Sequence, residues 1–194
     1  MDTQRSSGLK ALLNVHSFFS FGVGVSSPRA LVTRAAELGF EYLCLTDVGG
    51  VYGAVELASS CMEHGIKPLF GATLNVEHLG ETYPLKLLAP TRTAYGRLNV
   101  LLTEAFASGQ VTLDRLSLEP DLIVLSGGSC SRVAALLETG NLTALRDWLE
   151  LLNFAFAENF YVQLYHGLKS GDSARVKVLH TLALELDLTP VAAP

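Results

Sequence analysis

The stretch "SSPRALVTRAAELGFEYLCLTD", residues 26–47, decides the fold. Ser27 is placed to cap a helix, Pro28 suits the first turn because it has no N–H to lose there, and Gly39 is placed to end it. "EYLCLTD" then reads as a buried strand, apolar through Tyr42–Leu45 and turning polar at Asp47. A short apolar run at 11–15 supplies a strand before the helix, so these residues make one β-α-β unit.

Outward from it the unit repeats. "GAVELASSCMEHG" (53–65) predicts a helix with apolar Val55, Ala58 and Met62 on one face and Gly65 as its stop. "KPLFGATLNVEH" (67–78) and "ETYPLKLLAP" (81–90) predict two strands joined across Leu79 and Gly80, a hairpin-like interruption of the alternation. Further on come a helix from Thr93 to Ala107, the strand "DLIVLSG", helices over Ser131–Glu138 and Leu142–Phe156, the strand "NFYVQLY", the helix "SARVKVLHTLALELDL" and a last strand "PVAA". About seven strands alternating with helices, without a dinucleotide-binding glycine fingerprint, predict an α/β fold: a distorted seven-stranded β/α (TIM-like) barrel. Residues 1–10 read as a polar N-terminal tail and 11–194 as a single domain.

Composition narrows the function classes. The 194 residues are 49% hydrophobic and 17% charged, enough for a sizeable core, and the formal net charge is −5. That balance argues against direct nucleic-acid binding through charge, and the loose basic set Lys169, Arg175 and Lys177 reads as a solvated helix face. Three cysteines (Cys44, Cys61 and Cys130) show no C-x-x-C spacing, no signal peptide follows "MDTQRSSGLK", and no apolar run reaches membrane-spanning length. A cytoplasmic protein without a membrane partner is expected.

In a β/α barrel, chemistry sits at the carboxyl ends of the strands. Here those ends offer Asn14 and His16, then Asp47, Thr73 and Asn75, Ser126, Gly127 and Gly128, and lastly Gln163, Tyr165 and His166. A catalytic zinc needs three protein ligands, and a hard cation needs several carboxylates. His16, Asp47 and His166 would supply the zinc minimum. The plainer alternatives are a hydrogen-bonded rim histidine for His16 and a cap or turn carboxylate for Asp47. His64, His78 and His180 read as a helix-end, a hairpin and a helix-surface histidine.

"NVHSFFSF", "LVTRAAELGFEYLCLTDVGGVYGAVELASSCMEHGIKPLFGATL", "PLKLLAPTRTAYGRLNVLLTEAF", "LIVLSGG" and "NFYVQLYHG" together resemble, in order and spacing, the PHP (polymerase and histidinol phosphatase) domain. The likeness is to the domain at the N-terminus of bacterial DNA polymerase III alpha subunits, nearest their error-prone branch, and runs from about Leu12 to Ala193. It implies a PHP-type barrel with a metal cluster at the strand ends, used for phosphoester hydrolysis where the ligands are intact. It also implies a scaffold for a polymerase core or a separate exonuclease where they are not. Matched position by position, the family's H-x-H falls on Asn14-Val15-His16 and the following aspartate on Val23. The histidine of T-D-H-G falls on Val48 and the glutamate of G-x-E on Thr73. The histidine before "LLA" falls on Pro84 and the cysteine after "LSG" on Gly128, with Cys130 two residues on. The sequence stops at Pro194, before the family's D-x-H pair. By this reading His16 is the one matched ligand, and burial of Val23 and Val48 where the family has ligands is expected to tighten the barrel.

The expected function is a degenerate, stand-alone PHP module, catalytically inactive and cofactor-free, with a structural or interaction role beside a DNA polymerase or another replication or translesion-repair protein. The alternative is a residual phosphoesterase or 3′–5′ exonuclease using zinc, manganese or iron on His16, Asp47 and His166. A fragment of a longer polymerase is a third reading. Phe18, Phe19 and Phe21 are the candidate interaction residues, either as core or as anchors for a partner, and homodimerisation stays open.

Overall fold

The computed structural model describes residues 10–193, so residues 1–9 of the expected tail lie outside the described residues. Strand β1 (Ala11–Val15) leads to helix α1 (Pro28–Glu37), then to β2 (Tyr42–Leu45) and α2 (Ala54–His64). Local chemistry explains the boundaries. Ser27 accepts the Ala30 N–H, Pro28 occupies the first turn, and Gly65 closes α2 in the left-handed region.

The next pair breaks the alternation. Strands β3 (Lys67–His78) and β4 (Glu81–Ala89) form an antiparallel hairpin, with Leu79 (φ 54°) and Gly80 (φ 81°) at its two-residue turn. Positive φ at both positions is the turn geometry whose twist suits a tight hairpin, and Leu79 adopts it without the freedom glycine has. The alternation then resumes with α3 (Arg92–Ser108), a two-residue β5 (Val111–Thr112), α4 (Leu113–Ser117), β6 (Ile123–Leu125), α5 (Arg132–Thr139) and α6 (Leu142–Phe156). Strand β7 (Phe160–Leu164), α7 (Asp172–Glu185) and β8 (Pro190–Ala192) complete it.

The sheet runs in the order β1-β2-β3-β4-β6-β7-β8, with β5 beside β3 off that path. Its two edges curl toward each other. Leu13, Cys44, Leu69, Leu88, Ile123, Leu125, Tyr161 and Val191 pack into one interior cluster, so both edge strands face the same core. Alternate residues face outward under the helices, among them Leu43 and Leu45 on one side and Leu85, Leu87 and Val124 on the other. This is a distorted TIM-like β/α barrel; among the described residues no ladder joins β1 to β8.

One helix face differs from expectation. Val55 and Met62 are 83% and 80% exposed, whereas Leu57 and Cys61, four residues apart, are buried and pack with Leu43 and Leu45. The reason is the hairpin. With no helix between β3 and β4, nothing covers the flank of α2, and Val55, Ala58 and Met62 line an open groove of about 820 Å³ with Phe70, Pro90 and Tyr95.

Candidate functional site

The carboxyl ends of the parallel strands share one mouth, and the loop after β1 folds across it. Phe18 N–H donates to the Ser26 carbonyl at 2.9 Å, and a Cβ on Gly24 would sit 2.0 Å from the Ser17 oxygen, so only glycine lets the chain pass there. Asp47, 2% exposed, holds the loop down. Its Oδ1 accepts from the Ser17 N–H at 2.7 Å and the Ser20 hydroxyl at 2.6 Å, and its Oδ2 accepts from the Ser17 hydroxyl at 2.7 Å. Both carboxylate oxygens are therefore engaged by neutral donors of one loop.

These bonds settle the tautomer of His16. The single Ser20 proton goes to Asp47, so Ser20 Oγ accepts from the Val48 N–H at 3.0 Å and from Nδ1–H of His16 at 3.3 Å. The Nε2 lone pair remains. Burial, then the Lys86 ammonium, hold the imidazole below its ordinary 6.5, with Asp47 pulling the other way.

Lys86 is the residue that sequence reading missed. It sits on β4 between outward-facing Leu85 and Leu87, so its own side chain points into the barrel, where it is 7% exposed. Its Nζ donates to Gln163 Oε1 at 3.3 Å, Gln163 Nε2 donates to the Ala193 carbonyl at 2.7 Å, and the Gln163 N–H donates to Ser126 Oγ at 2.9 Å. Burial pushes the ammonium down to about 8, partly opposed by Cys130. The signal was present in "YPLKLLA": a lysine at an inward position of an apolar strand.

The positions matched to absent ligands fall on both sides of this mouth. Thr46 Oγ donates to Asn14 Oδ1 at 3.1 Å, Thr73 Oγ donates to the Thr46 carbonyl at 2.8 Å, and Val48 bridges to Thr73. Pro84 pairs with Asn75 across the hairpin, two residues from Lys86. A Cβ on Gly128 would lie 2.9 Å from Lys86 Nζ. Val23 and Val48 are not buried as expected. They are 61% and 43% exposed, because Val23 rides on the outer side of the loop and Val48 lies at the rim after β2.

His166 does not join His16 and Asp47. It is exposed, 3.0 Å from the Ser173 hydroxyl, and accepts the Leu168 N–H on Nδ1. His64 donates Nδ1–H to the Ser60 carbonyl, His78 packs on the Trp148 ring, and His180 is exposed on α7. Among the described residues no three His, Cys, Asp or Glu side chains come together as a metal site. The donors present do not fit a metal cluster: the buried carboxylate Asp47 already accepts three hydrogen bonds from Ser17 and Ser20, no second carboxylate joins it among the described residues, and the interior carries an ammonium.

Of the phenylalanines, Phe19 is half-buried, packed against Phe18 at 4.5 Å and Tyr52 at 6.1 Å, while Phe18 is 40% and Phe21 92% exposed.

A curled β/α sheet with polar strand ends at one mouth defines the class as a distorted TIM-like β/α barrel. The solved structures that it resembles include a protein of Bifidobacterium adolescentis assigned to the metal-dependent phosphoesterases (TM-score 0.61, 14% identity, 95% of this chain and 86% of that one). They also include an amidohydrolase of Chromobacterium violaceum (TM-score 0.66, 13% identity, 95% and 86%). The family model of the PHP domain matches residues 13–166, and the chain belongs to that family. It is 32% identical over 190 residues to the DNA polymerase III subunit alpha of Vibrio cholerae, covering 93% of this chain and 16% of that protein. The error-prone DNA polymerase of Corynebacterium jeikeium is 30% identical over 190 residues, covering 94% and 15%. The chain thus spans about one-sixth of the length of these polymerases. No helix among the described residues is long and apolar enough to cross a membrane.

Proposed function

We propose that this chain is a PHP-fold module without hydrolytic activity, serving a structural or protein-interaction role in DNA replication or translesion repair in the cytoplasm. One observation carries the reading: Asp47 spends both oxygens on Ser17 and Ser20 and so acts as a latch for the mouth loop. Three of the roughly four acceptor sites of this carboxylate are taken by one loop, which leaves a single lone pair, on Oδ2, for a metal or a water. The replication setting is drawn from the polymerase alpha subunits and error-prone polymerases that share the sequence. The net charge of −5 favours a protein partner over a nucleic acid.

The loop supplies the candidate docking residues. Phe21, Val23 and Val25 are 92%, 61% and 93% exposed within five residues, a concentrated apolar tip on a latched base. The partner class is a DNA polymerase or another replication or repair protein, and self-association is the competing use of the same tip.

Hydrolysis of bis(p-nitrophenyl) phosphate and of 3′-labelled single-stranded DNA, with zinc, manganese or iron supplied, tests the reading. No turnover above the metal-only rate is expected. Turnover that is lost in the His16→Ala variant would overturn it in favour of a residual phosphoesterase or 3′–5′ exonuclease.

A further inference from the structure

The barrel interior holds a buried cation of its own. Asp47 is a buried carboxylate whose hydrogen-bond partners, Ser17 and Ser20, are all neutral, so its charge is solvated by dipoles but not cancelled. Burying an ammonium costs several kcal/mol, and an apolar residue would suit the interior of β4, yet Lys86 stands there 7% exposed. Its ammonium also fills space. A side chain at Gly128 would begin 2.9 Å from Nζ, so the lysine occupies room that a ligand at that position would need. His16 feels Lys86 and Asp47 with opposite sign, and burial with the ammonium holds it toward its neutral form. Among the described residues Lys86 is the buried lysine, and it carries its charge into the barrel interior. A divalent ion placed beside this ammonium would meet a like charge at short range.

We propose that this mouth refuses metal through one resident side chain: the Lys86 ammonium stands beside His16 and Gly128, two of the positions matched to the family's ligands, and its charge and bulk exclude zinc, manganese and iron. The proposal rests on the reading of the chain as inactive in hydrolysis and gives that inactivity a specific cause. Absent ligands explain weak metal binding; a resident cation explains why metal is actively refused.

Manganese and zinc affinities of the full chain, measured by titration calorimetry and by metal content after gel filtration, test it in three forms: wild type, Lys86→Met and Lys86→Glu. Removing the ammonium is expected to tighten manganese binding at least tenfold, and replacing it by a carboxylate about a hundredfold, with the gain in Lys86→Glu lost again in a His16→Ala background. Lys86→Met carries the test if the charge-reversed variant fails to fold. Equal affinities in wild type and Lys86→Met would overturn the proposal. So would a full equivalent of metal in the wild type, since the ammonium would then coexist with it. Equal affinities combined with absent hydrolysis would leave the proposed function standing, whereas metal-dependent hydrolysis by the wild type would remove both.

Discussion

Asp47 and Lys86 behave oppositely as buried charges. Asp47 is satisfied by three short bonds from one loop, and Asp47→Ala strands Ser17 N–H, Ser17 Oγ and Ser20 Oγ around an empty space. A loss of roughly 2–4 kcal/mol is expected in urea unfolding at pH 7. Lys86 is a cost that the fold carries. Below about pH 8 the ammonium is charged in both the folded and unfolded chain, and the folded state bears its burial. Between about 8 and the ordinary lysine value of 10.5, the folded protein has released the proton while the unfolded chain still holds it. Stability therefore rises with pH through that window, by on the order of 3 kcal/mol if other groups stay silent. Lys86→Met should raise stability at pH 7 and flatten that rise; denaturant midpoints at pH 7, 8, 9 and 10 measure both. An unchanged slope in the variant would mean that another group titrates there.

Elements follow their local sequence wherever one residue carries the signal. Ser27, Pro28 and Gly65 mark helix ends that the structure keeps, and the Leu79-Gly80 turn stands where two strand patterns meet. The left-handed conformation of Leu79 costs a branched side chain about 1 kcal/mol, so Leu79→Asn should stabilise the hairpin by that amount in thermal unfolding. What was not legible depended on neighbours far away in sequence. Val55, Ala58 and Met62 are spaced as a core face, yet they face a groove because the hairpin takes the place of a covering helix. In the same way Val23 and Val48 are apolar without being buried. Lys86 was readable from alternation alone, but its partner Gln163 lies 77 residues onward, beyond any local pattern. At the mouth loop, Phe21→Ser should leave the unfolding midpoint unchanged, since Phe21 is 92% exposed, and weaken binding of a purified polymerase alpha subunit in calorimetry. Unchanged binding would move the interaction elsewhere, with the groove beside α2 as the next surface to test.

At the scale of the molecule, the barrel closes its interior with apolar side chains from every long strand and leaves the strand ends to polar groups that satisfy one another. The strand ends frame a latch, Asp47 with Ser17 and Ser20, and a bridge, Lys86 with Gln163. Both join side chains from distant parts of the sequence. The central claim is that this mouth is complete without metal. The most direct measurement is the metal content of the purified chain by inductively coupled plasma mass spectrometry, after incubation with zinc, manganese or iron and removal of loose ions. The account predicts less than about one-tenth of an equivalent of each. Near one equivalent, lost on His16→Ala, would contradict it.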